Sequence, residues 1–293
     1  MYKILRRKLG FIKRYISLIH SKFVRVVTGS MVTGFIIDNG IDTFTVDVKD
    51  ITVGKILRKK GVYGVEEQNL LNQLINNNST IVFAGTHIGA LAIPVAKNVK
   101  NAIFIEANPT TFKFLKQNIL LNDLKNVSVY NFALGEASGE ISFVLNKVNS
   151  GGSKREPITK ENMYYYDNPE TIKVPMMDLD SLLKNSDVQE TIDLIFMDIE
   201  GSEYFALNGM KDTLKNTKHL VLEFIPHHLR NVANVSVVSF LKVILEFFDH
   251  CYIPSKDQYV EKTDFINFFE EMYKKNESDD GVIFMKEKVH FKH

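Results

Sequence analysis

The sequence predicts an α/β protein: a mostly parallel sheet with helices on both faces. Three observations carry that expectation. Between residues 80 and 226, strand-like runs alternate with helical ones. The strand runs "TIVFAG", "NAIFIEAN", "TIDLIFMDIEG" and "KHLVLEFIP" are apolar without alternation, as strands covered on both faces must be. Several of them end in glycine or a carboxylate, and open sheets of this kind bind ligands at the carboxyl ends of their strands.

The elements follow in chain order. Two β-rich runs at 31–37 and 41–48 flank Asp38-Asn39-Gly40, a hairpin signal because Asn and Gly both tolerate positive φ. Residues 66–75 have helical periodicity. A strand at 80–85, a helix at 89–98, a strand at 101–108, a helix at 109–122 with Pro109 in its first turn, and a strand at 126–135 come next. An extra strand is expected at 139–146, then a Gly/Ser-, charge- and Tyr-rich connection at 146–170, long enough to act as a lid. Strands at 191–201 and 218–226 enclose a helix near 202–216, a helix follows at 235–248, and 250–255 and 281–288 close the fold as a strand pair. The chain divides into an extension, 1–65, made of a basic helix and the hairpin, and a main domain, 66–293.

The 293 residues carry a net charge of +1, so no global field argues for a nucleic-acid partner. One cysteine, Cys251, excludes an intrachain disulfide framework and points to a reducing, cytoplasmic setting. The first 26 residues hold eight Lys/Arg and no Asp or Glu, with Ile4, Leu5, Leu9, Ile12, Ile16 and Ile19 at near-helical spacing. Such a stripe either docks on its own domain or a twin subunit, giving a homodimer, or makes a peripheral contact with the inner face of an anionic membrane.

The chemistry is expected at the strand ends. Gly85-Thr86-His87-Ile88-Gly89 is G-x-x-x-G rather than G-x-G-x-x-G, a turn that lets a ligand approach the backbone without meeting the dinucleotide fingerprint. Its departure from that fingerprint argues against a nicotinamide-dependent oxidoreductase. Glu106, 21 residues after Gly85, can accept hydrogen bonds from the vicinal hydroxyls of a ribose, with Ala107 beside it. Asn131, Phe132 and Ala133 close the third strand, where an adenine ring would rest. Asp198, Glu200 and Glu203 crowd the end of an apolar strand, which raises carboxylate pKa values, and period two places Asp198 and Glu200 on one face. Asp198 or Glu200 is expected to take a proton from a hydroxyl as general base, with Glu223 or His227, which close the next strand, as the alternative. Adjacent His227 and His228 point apart unless the loop bends, so no metal is assigned. Tyr165, with Tyr164 and Tyr166, suits stacking on a sugar face.

The ordered string "FAGTHIG", "IFIEANP", "VYNFALGE", "NSGGS", "VPMMDLDSLL", "LIFMDIEGSEYFALNGM" and "LVLEFIP" resembles the FkbM-type methyltransferases over about residues 60 to 226. The resemblance implies a Rossmann-like class I methyltransferase fold with a seven-stranded sheet in the order 3-2-1-4-5-7-6. It implies S-adenosylmethionine as cofactor and O-methylation of a sugar, glycan or related natural product, as in polysaccharide biosynthesis. Gly85, Thr86, His87 and Gly89 would then face the methionine end of the cofactor, with Glu106 at the ribose, Asn131 to Ala133 at adenine, and Asp198, Glu200 and Glu203 bordering the transfer site. Ser150 and Gly151 of "NSGG" would face the acceptor. Two positions depart from the family pattern: its first-motif Asp is Phe83 and its usual Lys upstream of D-x-E is Phe196. These losses motivate an alternative, a divergent or inactive module that scaffolds a glycan- or membrane-associated complex.

Overall fold

The computed structural model describes residue 16, residues 18–185 and residues 191–292. Its strands begin with β1 (Gly34–Asp38) and β2 (Thr43–Asp47), an antiparallel hairpin. Next come β3 (Thr80–Ala84), β4 (Asn101–Ile105), β5 (Val127–Tyr130), β6 (Ala133–Leu134), β7 (Gly139–Leu145), β8 (Lys154–Arg155) and β9 (Glu170–Met177). The last are β10 (Leu194–Met197), β11 (His219–Phe224), β12 (His250–Ile253), β13 (Gln258–Glu261) and β14 (Asp279–Met285).

Eight of these strands form the main sheet, in the order β13-β12-β14-β11-β10-β3-β4-β5. Omitting β13 and counting from β3, this is the 3-2-1-4-5-7-6 order. The strands from β11 to β5 are joined by parallel pairings, while β14 runs antiparallel between β11 and β12. The sheet thus has eight strands rather than seven. The added β13 is a short, mainly exposed edge strand paired antiparallel to β12, and its "QYVE" has no apolar run to announce it.

The strands of the sheet's centre bury both faces. On β3, Val82 and Ala84 enter one apolar cluster while Ile81 and Phe83 enter the other. Each large apolar side chain removed from water there contributes about 1.5–3 kcal/mol. The expected strand at 126–135 divides in two, because β6 leaves the main sheet to join β9, β7 and β8 in a four-stranded second sheet. β9 begins where the expected connection ends, in a stretch given no element from the sequence: it pairs along all of β7, from Gly139 opposite Met176 to Leu145 opposite Glu170. Its exposed residues and Pro175 hide it from an apolar pattern. The helix expected at 89–98 is only Ala92–Ala96, and that expected near 202–216 is two pieces, Glu203–Asn208 and Lys211–Lys215.

The hairpin is clamped to the main domain. Phe44 and Val46 enter the same cluster as Phe83. Asn118, on the helix Pro109–Leu121, behaves like an extra peptide unit: its Oδ1 accepts from the Thr45 N–H at 2.6 Å, and its Nδ2 donates to the Thr45 carbonyl at 3.1 Å and the Ile88 carbonyl at 2.8 Å. Within the hairpin loop only Gly40 takes positive φ (83°); Asn39 instead accepts from the N–H groups of Ile41 and Asp42, making a longer loop than a two-residue turn. The expectations for residues 1–15 and 17 lie outside the described residues. Beyond them a helix runs over 18–28, and Ile16 and Ile19 of the stripe are exposed rather than docked on the domain. No helix among the described residues is long and apolar enough to cross a membrane.

Candidate active site

The turn after β3 is shaped by close backbone packing. Gly85 has φ 78°, and a Cβ there would collide with the backbone carbonyl of Asp198, so the turn after β3 and the end of β10 touch main chain to main chain. Gly89 has φ 85°, and a Cβ would run into Ile93 and Leu115. The Thr86 hydroxyl bonds back to the Phe83 and Ile105 carbonyls. His87 is left-handed at φ 54° and donates its N–H to Glu106 Oε2 at 2.7 Å.

Glu106 follows β4, buried to 7% exposure. Its Oε1 accepts from the Asn108 N–H at 2.7 Å and the Thr111 hydroxyl at 3.4 Å. Burial pushes its pKa up to about 7, although the donated bonds from Asn108, His87 and Thr111 act in the other direction. Asn108 in turn caps the helix Pro109–Leu121 through the N–H groups of Thr110 and Thr111. Both oxygens of Glu106 are thus held in place while the residue lines a cleft.

That cleft is open to solvent, and about 600 Å³ of space lies in it and its mouth. Gly85, His87, Glu106 and Ala107 line one side, and Phe132 and Ala133 the apolar end. Ser150 and Gly151 line it from the loop before β8, and Asp198 with Ser202 from the end of β10. Asn131 stands behind the lining: its Nδ2 donates to the carbonyls of Glu106 and Ala107 and steadies that segment.

The acids that follow β10 are separated by their surroundings. Asp198 lines the cleft, and burial, then Glu200 and Glu203, push its carboxyl well above the usual range. Glu200 does not share its face. The strand ends at Met197, Glu200 takes φ 55° and Gly201 φ 101°, so period two no longer applies. Glu200 instead pairs with Lys154 of β8, Oε2 to Nζ 2.5 Å, and lies 3.3 Å from His228 Nε2. Burial works against its charge, but Lys154 and His228 outweigh it and hold Glu200 far below the usual carboxylate range. A cation the sequence lacks at Phe196 is therefore supplied from β8. Glu203 accepts from the Ile199 N–H at 3.0 Å and braces the turn; burial pushes it up to about 7.

Glu223 and His227 sit beside the acid group but do not line the cleft. Glu223 Oε2 has no hydrogen-bond partner and lies 3.7 Å from His228 Nδ1; burial, then Asp198 and Glu200, push its carboxyl well above normal. His227 Nδ1 meets the Tyr164 hydroxyl at 3.2 Å, and burial, aided by His228, pushes the ring down to about 3. Tyr164 rather than Tyr165 makes the contacts of the tyrosine run, since the Lys154 ammonium also lies 5.2 Å over its ring. The Tyr165 hydroxyl is buried without a partner and the residue does not line the cleft. Among the described residues, no group of three or more His, Cys, Asp or Glu is arranged to hold a metal ion.

Sequence reasoning missed two participants, Lys154 and Asp50, and met His228 only as the neighbour of His227. Asp50 joins the cleft wall through Ser150: the Ser150 hydroxyl donates to Asp50 Oδ2 at 2.7 Å and stands 2.7 Å from His87 Nε2. The only local signal for Lys154 is a cation directly after the Gly-Gly loop; nothing near Asp50 announces its role.

Residues 84–275 match the family model described as the Methyltransferase FkbM domain. Over 68 residues the chain is 37% identical to a probable ribosomal RNA small subunit methyltransferase A of Methanosphaera stadtmanae, covering 22% of this chain and 25% of that protein. Over 79 residues it is 37% identical to a tRNA(Phe) (4-demethylwyosine(37)-C(7)) aminocarboxypropyltransferase of Methanocaldococcus jannaschii, covering 26% of this chain and 31% of that one. The matches thus span about a quarter to a third of these curated relatives. Among solved structures, an FkbM methyltransferase from Methylobacillus flagellatus aligns with TM-score 0.42 and 16% identity, over 72% of this chain and 44% of that one.

Proposed function

Because the chain belongs to the FkbM methyltransferase domain family, we infer that it transfers a methyl group from S-adenosylmethionine to a hydroxyl of a sugar, glycan or related natural product. One observation carries this reading: Glu106, from the end of β4, and Asp198, from the end of β10, line the same cleft, whose floor is the side-chain-free Gly85.

The residues present fit the cofactor. Gly85 and His87 line the cleft where the methionine part would lie, Glu106 offers carboxylate lone pairs to a ribose diol, and Phe132 and Ala133 supply apolar surface for adenine. When bound, S-adenosylmethionine supplies a methyl group on a sulfonium, an electrophile that needs only alignment and a free nucleophile. The chain's part is positioning. Glu106 is immobilised from both sides, and Glu200 is locked to Lys154, so it serves as a fixed counter-charge rather than a proton acceptor. Burial pushes the Asp198 carboxyl well above the usual range, and in its protonated form it can donate a hydrogen bond into the transfer site.

A neutral hydroxyl acceptor is favoured by the lining itself. Its ionisable side chains are His87, Glu106 and Asp198, with no Lys or Arg to neutralise the phosphates of a nucleic acid. The RNA chemistry in the relatives' names belongs to those proteins. The test is calorimetry with S-adenosylhomocysteine, followed by transfer from methyl-labelled cofactor to a panel of methyl glycosides. Binding and labelled glycoside are expected. Absence of heat at millimolar ligand favours a scaffold module instead.

A further inference from the structure

Three side chains from distant parts of the sequence form a hydrogen-bonded line that ends at the cleft. Asp50 follows the hairpin, Ser150 opens the turn Ser150–Gly152, and His87 lies in the turn after β3. Asp50 is fixed by its other oxygen: Oδ1 accepts from the N–H groups of Thr52 and Gly54, at 2.8 and 3.0 Å, and from the Thr52 hydroxyl at 3.1 Å. Its Oδ2 takes the Ser150 proton at 2.7 Å. A hydroxyl has one proton to give. With that proton on Asp50, the Ser150 oxygen meets His87 Nε2, 2.7 Å away, as an acceptor, so Nε2 carries the ring hydrogen.

A neutral imidazole protonated at Nε2 has a free lone pair at Nδ1. In His87 this Nδ1 is buried and has no partner, while the residue lines the cleft. The ring is held at Nε2 by Ser150, and the backbone that carries it is tied through the His87 N–H to Glu106. We propose that His87 is the base that receives the acceptor hydroxyl's proton at Nδ1, with Ser150 and Asp50 as positioning residues that set its tautomer.

The assignment rests on the methyl-transfer reading. The acceptor oxygen forms the new C–O bond, the S–C bond of the cofactor breaks with its electron pair kept on sulfur, and the hydroxyl proton passes to Nδ1. The imidazolium so formed has Asp50 Oδ2 3.9 Å from Nε2, across the Ser150 hydroxyl. Burial pushes the free ring's pKa down, against the pull of Asp50 and then Glu200, so the ring is neutral before it accepts the proton.

The test uses full-length, ¹⁵N-histidine-labelled protein saturated with S-adenosylhomocysteine. Long-range ¹H–¹⁵N spectra report which ring nitrogen carries hydrogen, and His87→Asn, a residue that tolerates left-handed backbone, identifies the signal. His87 is expected neutral with its hydrogen on Nε2, and Ser150→Ala or Asp50→Asn should move part of the population to Nδ1. With methyl glycosides as acceptor, His87→Asn should lower kcat about a hundredfold or more, the range of a lost general base, with the cofactor's KM changed by less than about threefold. A His87 hydrogen on Nδ1, or wild-type turnover of His87→Asn, overturns the assignment. Failure of S-adenosylhomocysteine to bind overturns the methyltransferase reading instead, and the ligand-free spectrum still decides the tautomer. If no glycoside is methylated, the acceptor class fails and the spectra alone decide the base.

Discussion

Phe83 and Phe196 are register partners on neighbouring strands, β3 and β10, with ring centroids 5.0 Å apart. These are the two positions where the family resemblance leads one to expect an Asp and a Lys. At both positions an aromatic ring stands instead, and Phe104 extends the pair edge-on, 5.9 Å from Phe83. Both rings are buried, and neither lines the cleft.

That coupling is measurable. Phe83→Asp alone places an unpaired charge between two rings and should cost about 3–5 kcal/mol in denaturant unfolding. Phe83→Asp with Phe196→Lys should recover part of the loss. A double variant no more stable than the sum of its singles would refute the pairing.

Glu106→Gln should weaken S-adenosylhomocysteine binding about tenfold or more, the cost of a charge-assisted hydrogen bond to a ribose hydroxyl. Gln keeps a single acceptor oxygen, so one of the backbone N–H groups of His87 and Asn108 loses its partner, and native circular dichroism is the control that lets the affinity be read. Unchanged affinity by calorimetry would remove Glu106 from the ribose.

Lys154→Met strands Glu200 beside a buried His228 and should destabilise the protein by about 3–5 kcal/mol. Adding Glu200→Gln should restore most of it, because the second change removes the unpaired charge. A double variant as unstable as Lys154→Met would show that the lysine acts through packing on Tyr164 instead.

The acids also set a pH dependence. Burial pushes Glu67, Glu106 and Glu203 each up to about 7, from an ordinary 4.5. Above pH about 7.5 the unfolded histidines are nearly neutral and contribute little slope, but these folded-state carboxyls still lose protons that the unfolded chain has already lost. The folded state then binds more protons than the unfolded one, so stability falls as pH rises. Below that pH the buried histidines oppose the trend, since His219 and His227 are pushed down to about 4 and about 3. The ligand-free Tm should therefore drop between pH 7.5 and 8.5, and Glu106→Gln should flatten the fall. A Tm that rises over this interval contradicts the burial of these groups.

What the sequence reveals of the site depends on where each residue's partner lies. Gly85, Glu106 and Asp198 are legible because each directly follows an apolar strand, and parallel strands deliver their ends to one rim. Asp50 and Lys154 are not, because their partners Ser150 and Glu200 lie 100 and 46 residues away and no periodicity joins them. Glu200 shows the limit of pattern rules: alternation held for the strand and failed three residues beyond it, where left-handed backbone turned the side chain toward β8. In the fold, doubly buried strands declared themselves, whereas β9 and β13, half open to solvent, did not.

Asn118 makes the amino-terminal hairpin inseparable from the catalytic half. One amide holds β2 at Thr45 and, through the Ile88 carbonyl, the same turn that presents His87. Trimming the chain to residues 66–293 would therefore unseat that turn as well as bare a greasy flank, and recombinant fragments beginning near residue 66 should yield aggregates, not a minimal folded unit.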